Sequence, residues 1–282
     1  MTPVTPSTPS APVPAPVPRR TFLRTTGVLA VASAAAVLLP GCASPRPEFA
    51  GIFTEDFLGG GLSRWWRAHA TVPRSDARIT WDPALVEVRD SCLVLSATWD
   101  GTAGRAGAVT NWPVTRTYGR WEARIRAHPS PVFSYHLLLW PADDRWPPEI
   151  DIAEGFDAER SVTESFVHYR DPSGAPARQG FRMPVDATRW HDVAVEWTAG
   201  HVRFTCDGAV VGGTDGTTVP HTPMWLGIQV ESHAGEGTGV VVDPPVPVLE
   251  VDRVRISAAP AGTPAAESTT GTTVPTSRTT NP

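Results

Sequence analysis

Arg120-Trp121-Glu122-Ala123-Arg124-Ile125-Arg126 alternates charged and apolar side chains without a break. A two-residue period puts the charged groups on one face of an extended strand and Trp121, Ala123 and Ile125 on the other. Such a strand must bury its apolar face against a second layer, and the flanking chain offers many similar pieces. Val86-Glu87-Val88-Arg89 and Leu93-Val94-Leu95-Ser96-Ala97 read as a hairpin turning at Asp90-Ser91-Cys92. Val193-Ala194-Val195-Glu196-Trp197 and Val202-Arg203-Phe204-Thr205-Cys206 flank a turn at Ala199-Gly200, and Asp207-Gly208 makes a tight turn into Ala209-Val210-Val211. Val251-Asp252-Arg253-Val254-Arg255-Ile256 alternates again. No amphipathic run between 50 and 258 is long enough for a three-turn helix. Short strands at regular spacing predict an all-β fold, a two-sheet antiparallel sandwich.

The ends differ from this middle. The chain has 282 residues, 30 of them Pro, and ten prolines fall in residues 1–47 with four more in 259–282. Residues 1–18 are Pro, Thr, Ser, Val and Ala, a composition without a packed core. Arg19-Arg20-Thr21-Phe22-Leu23-Arg24 then precedes an uncharged stretch from Thr25 to Ala43, the layout of an export signal. The Arg19-Arg20 pair resembles a twin-arginine signal, and Leu39-Pro40-Gly41-Cys42 resembles a lipobox that would make Cys42 the lipidated first residue of the mature protein. A spanning anchor is the other reading, but it needs roughly 20 apolar residues, more than this run provides. The Thr/Pro-rich tail reads as a disordered or glycosylated extension. The expected organisation is a leader over 1–47, a catalytic domain over 48–258 and a tail over 259–282.

All 24 basic residues are Arg. Four of them lie in the first 47 residues, which hold no acid, so the remainder carries a net charge of −9. An acidic body argues against nucleic acid and other polyanions and favours a neutral or cationic ligand. With Cys42 lipidated, Cys92 and Cys206 are either a disulfide or two separately buried thiols. No zinc-type ligand spacing is present, and no metal is expected on that ground.

The chemistry concentrates in Trp140-Pro-Ala-Asp-Asp-Arg-Trp146-Pro147-Pro148-Glu149-Ile150-Asp151-Ile152-Ala153-Glu154-Gly155. Two prolines exclude a helix running into Glu149, and the acid–apolar alternation after them is a strand with Glu149 and Asp151 on one face. Strict alternation would turn Glu154 away. A one-residue bulge at Ile152-Ala153 would return it to the face of Asp151. Two Glu on one strand, roughly 13 Å apart along the backbone, can bring their carboxyls to about 5 Å, the separation that suits a retaining glycosidase. Asp151 between them would hydrogen-bond the nucleophile and keep one Glu ionised and the other protonated.

Glu149-Ile-Asp151-Ile-Ala-Glu154 resembles the bulged E-x-D-x-x-E signature of glycoside hydrolase family 16, in its laminarinase-like form. Phe53-Thr-Glu-Asp56-Phe57, Tyr118-Gly119-Arg120-Trp121-Glu122-Ala123-Arg124-Ile125, Trp190-His191-Asp192-Val193-Ala194-Val195-Glu196-Trp197 and Val251-Asp252-Arg253-Val254-Arg255 resemble further landmarks of that family in order and spacing. The resemblance implies a β-jelly-roll sandwich with a concave glycan cleft. It makes Glu149 the nucleophile, Glu154 the general acid/base and Asp151 the assisting carboxylate. Trp140 and Trp146 would stack on sugar rings, His168 would touch the sugar near the acid/base or be structural, and Gln229 and Glu231 could line the cleft. Arg120 and Glu122 read as a polar network behind the site. Some members hold a structural calcium with an acid on the closing strand, where Asp252 stands; no cofactor is otherwise required.

The expected activity is that of an exported, monomeric retaining endo-glycosidase on a β-linked neutral glucan, most simply β-1,3-glucan. Its partner is a polysaccharide, not nucleic acid, and it meets a membrane only through a lipid anchor. A catalytically silent glycan-binding module on the same sandwich and a cell-envelope transglycosylase are the competing readings. The crowded acids argue against the first, and sequence does not separate transfer from hydrolysis.

Overall fold

The computed structural model describes residues 51–70, 78–232 and 239–258. Cys42, the leader over 1–47 and the tail over 259–282 lie outside the described residues. Among those described there are seventeen strands and three short 3-10 turns. One sheet runs β12 (Pro176–Pro184), β11 (Val162–Arg170), β10 (Glu149–Gly155), β9 (Phe133–Pro141), β16 (Met224–Ser232), β7 (Ala108–Thr110) and β2 (Arg67–Ala68). The other runs β15 (Ala209–Asp215), β14 (His201–Cys206), β13 (His191–Trp197), β8 (Gly119–Ala127), β17 (Val242–Ser257), β5 (Cys92–Trp99), β6 (Gly104–Ala106) and β3 (Ile79–Trp81). On this second sheet β1 (Gly51–Glu55) pairs with β17 and β4 (Val86–Arg89) with β5.

The expected two-sheet sandwich is present, with one departure from a wholly antiparallel order. β3 and β6 pair in parallel at the sheet edge, while β6 pairs antiparallel with β5. The turns follow their residues. Asp90-Ser91 and Asp207-Gly208 all have positive φ, which suits the right-handed twist of a two-residue hairpin. β8 alternates as read: Trp121, Ala123 and Ile125 enter the core, and the charged side faces outward. There Arg120 pairs with Glu122 at 3.0 Å, Arg124 with Asp192 at 3.4 Å and Arg126 with Glu250 at 2.8 Å. Arg120 and Glu122 therefore belong to the outer face of the sheet opposite β10, and such half-exposed pairs contribute little each.

Cys92 and Cys206 are free thiols. Burial, reinforced by nearby acids, raises both thiols to about 11. The Asp252 carboxylate lies 3.7 Å from Arg124 and 3.8 Å from Arg253 on the outer face of the sheet.

Phe133, Tyr135, Leu137 and Leu139 of β9, with Leu226, Ile228 and Val230 of β16, bury one face of the seven-stranded sheet against the core. Their alternates therefore share the opposite face. The edge of that arrangement is held by Arg160, fully buried and bonded to four carbonyls: Phe133 O at 2.6 Å, His128 O at 2.9 Å, Gly155 O at 3.0 Å and Asp157 O at 3.1 Å. Its fork ties the start of β9 to the end of β10, one residue beyond Glu154. Arg160→Met should lower stability by about 3 kcal/mol, since it strands buried acceptors, and Tm by about 6–12 °C. A thermal melt within about 2 °C of wild type would contradict the clamp.

Candidate active site

The motif strand carries the expected bulge. Facing β9, Asp151 opposes Leu138 while Ala153 opposes Leu137 and Glu154 opposes His136, so one extra residue is accommodated at Ile152. Facing β11, Glu149 opposes His168, Asp151 opposes Phe166 and Glu154 opposes Glu164. Ile150, Ile152 and Ala153 join the core, and Glu149, Asp151 and Glu154 share the other face. All three carboxylates are buried, Asp151 most deeply at 2% exposure.

Each acid has a different partner. The Trp146 indole N–H donates to Glu149 Oε2 at 2.7 Å. His168 Nε2 lies 2.9 Å from Asp151 Oδ2. His136 Nδ1 lies 2.5 Å from Glu154 Oε1, and its Nε2 lies 2.8 Å from Ser134 Oγ. The antiparallel register sets His168, read as a sugar contact near the acid/base or as structural, opposite Glu149, and His136 lies opposite Glu154. His136 was not singled out from sequence, because only the β9–β10 register, eighteen residues apart, brings it there.

Burial first, then the charge of Asp151, pushes the Glu149 carboxyl up to about 8, against the opposing pull of His168 and the Trp146 hydrogen bond. Burial and Glu154 likewise raise Asp151 well above the usual carboxylate range, with His136 and Arg178 opposing. Burial lowers the His168 imidazole. Burial also opposes charge on His136, yet its hydrogen bond to Glu154 and the charges of Glu154, Glu231 and Asp151 outweigh that and raise it. Both carboxyls therefore hold their protons to higher pH than a solvated carboxylate does.

On the β16 side of these acids lies a cleft of about 350 Å³, lined by Trp81, Trp140, Glu149, Trp225, Gln229 and Glu231 among others. Trp140 and Trp225 are direct cross-strand neighbours, and Trp112 stacks on Trp225 at 5.7 Å. Gln229 Nε2 donates to Glu231 Oε1 at 3.0 Å. Thus Trp140, Gln229 and Glu231 line the cleft together with Glu149. Trp146 stands on the other side of Glu149, its ring 5.6 Å from that of His168. Trp225 and Trp112 were not singled out from sequence, because Trp225 meets β9 only through long-range pairing and Trp112, in a 3-10 turn, reaches the cleft only by stacking on Trp225.

Among the described residues, two groups have metal-ligand residue types in proximity. Glu149, Asp151 and His168 bring one polar atom each within 4.8 Å of one another, as do His191, Cys206 and Asp207. In the first, the Trp146 N–H and His168 Nε2 already face the carboxylates, an arrangement that holds protons rather than a cation. In the second, both His191 nitrogens are engaged, with Asp207 at 2.7 Å and the Asp186 carbonyl at 3.0 Å.

The chain is similar to known proteins over this region. The model of glycosyl hydrolases family 16 matches residues 74–238. An endo-1,3-1,4-beta-glycanase, ExsH, of Rhizobium meliloti (strain 1021) is 25% identical over 128 residues, 45% of this chain and 27% of that protein. A beta-glucanase of Rhodothermus marinus is 31% identical over 134 residues, 42% of this chain and 46% of that protein. The chain spans less than half the length of these relatives. The LamAcat structure from Zobellia galactanivorans shares the fold with a TM-score of 0.63 at 19% identity, over 73% of this chain and 97% of that one. The laminarinase catalytic domain from Thermotoga maritima MSB8 does so with a TM-score of 0.63 at 14% identity, over 75% and 98%. With the bulged three-acid strand in place and more than half of its length matched, the chain belongs to glycosyl hydrolases family 16.

Proposed function

We propose that this protein is an exported endo-glycosidase that hydrolyses a β-1,3-linked or mixed-linkage glucan by double displacement. The observation that carries the reading is the bulge of β10, which gathers Glu149, Asp151 and Glu154 on one buried face beside a tryptophan-lined cleft. The relatives named as glycanase and glucanase, and the laminarinase fold neighbours, support the substrate class.

In this mechanism Glu149 attacks the anomeric carbon while Glu154 passes its proton to the departing glycosidic oxygen. The Glu149–glycosyl ester is then cleaved by water, whose proton returns to Glu154. Asp151 keeps a shared proton near Glu149, so one negative charge suffices for the pair. The apolar faces of glucose rings rest on Trp140, Trp225 and Trp146, and Gln229 and Glu231 meet hydroxyls. A neutral glucan suits the acidic body, and no metal takes part in these steps.

Glu149→Gln and Glu154→Gln should each remain folded and lose at least about 10³-fold in kcat/KM on the best substrate of a laminarin, mixed-linkage glucan and agarose panel. Retention of more than about a tenth of the activity by Glu149→Gln overturns the assignment. The same product profile separates hydrolysis from transfer to sugar acceptors, and a wild type that binds glucan without cleaving it would be a binding module.

The raised Glu149 and Asp151 also set a stability profile. A carboxyl that binds its proton more tightly when folded contributes stability at low pH, and that contribution is lost as pH rises. For Glu149 the window runs from about 4.5, its ordinary value, to about 8. Tm should therefore fall across that window, and Glu149→Gln should flatten the fall and raise Tm at pH 8 by a few °C. A steeper fall in the variant contradicts the burial argument.

Export and lipid attachment at Cys42 belong to the same proposal. Cys42→Ala should release the protein from a detergent-soluble membrane fraction into the medium; equal retention would point to an uncleaved anchor.

A further inference from the structure

The acid/base reading of Glu154 leaves a neighbouring cluster without a role. β9 alternates Ser134 and His136 onto the face of the three acids, and register sets His136 directly across from Glu154. Both side chains are buried, at 1% and 9% exposure. Phe156 closes over the imidazole edge-on, 5.4 Å away. Both ring nitrogens are spent, Nδ1 on Glu154 Oε1 and Nε2 on Ser134 Oγ. An imidazole bound at both ends cannot itself reach a glycosidic oxygen, so its effect must pass through the carboxyl it holds.

We infer that His136 is a positioning residue for Glu154: it grips Oε1, leaves Oε2 to face the scissile oxygen, and donates to the carboxylate that forms as the proton departs. This rests on the reading of Glu154 as the general acid/base. As Glu154 releases its proton, negative charge develops on a buried carboxylate, where a preformed N–H donor acts most strongly. The Ser134 hydroxyl donates or accepts, so the ring stays fully bonded whether neutral or protonated. The groups facing His136 are Glu154 and Asp151 from β10 and Glu231 from β16, all acidic, and they favour the protonated ring. No bond to substrate is made or broken by His136; its Nδ1–H remains in place throughout.

Dependence on the leaving group tests this. A glucan leaving group needs a proton from Glu154, whereas dinitrophenolate departs unaided. Steady-state cleavage of laminarin and the burst rate on a dinitrophenyl glycoside of a short β-glucan would be measured for wild type, His136→Leu, His136→Asn, Ser134→Ala and Glu154→Ala. His136→Leu should lose about 10²-fold on laminarin and less than about threefold in the burst. His136→Asn, whose amide can still donate to Oε1, should recover about tenfold of the loss, with Ser134→Ala intermediate. An unaltered burst shows that each variant is folded; should His136→Leu not fold, the Asn and Ala variants carry the comparison. Equal losses on both substrates, or no loss on laminarin, overturn the role of His136. If Glu154→Ala itself loses equally on both substrates, the acid/base reading falls instead.

Discussion

Three carboxyl groups packed on one buried face of a single strand cannot all be ionised. Burial disfavours charge on Glu149 and on Asp151, and the neighbouring acids disfavour it further. The rest of the site follows from that crowding. Glu149, Asp151 and Glu154 each receive a separate hydrogen-bonding group, from Trp146, His168 and His136. The three donors come from three directions: the loop before β10, strand β11 on one side and strand β9 on the other. The acids thus keep distinct hydrogen-bond partners although they are neighbours in space.

The bulge is the structural device that creates the crowding. Were the same residues to run as a regular strand with no bulge at Ile152, Glu154 would turn into the core among Leu137, Leu139 and Val167, where a carboxylate has no partner. With it, Ile152 and Ala153 both face inward, and the sheet keeps its apolar side intact. The clamp of Arg160 on Phe133 and Gly155 then fixes the two strand ends that present Ser134, His136 and Glu154. Fold and site are therefore coupled at one corner of the seven-stranded sheet.

Local pattern reveals some of this. The alternation of β8, the Asp90-Ser91 and Asp207-Gly208 turns and the five-residue offset between Glu149 and Glu154 depend on residues near in sequence, and each has its expected form in the fold. What depends on register does not show in the pattern. His136 and Trp225 reach the site through pairings between distant strands, and Trp112, in a 3-10 turn, only by stacking on Trp225; nothing beside them in sequence announces it. His168 illustrates the same limit. It follows the motif closely enough to be noticed, but whether it meets the first or the second Glu is decided by how the β10–β11 turn closes. The parallel pairing of β3 with β6 is likewise a property of chain return at an edge, not of either short segment.

The central claim is that Glu149 and Glu154 act on opposite sides of one anomeric carbon with no water between Glu149 and the sugar. Two inversions then leave the configuration unchanged. Proton NMR of the first reducing ends released from laminarin, recorded before mutarotation, tests this directly. The account predicts that the β-anomer appears first and the α-anomer only as equilibrium is approached; an α-anomer appearing first would contradict it.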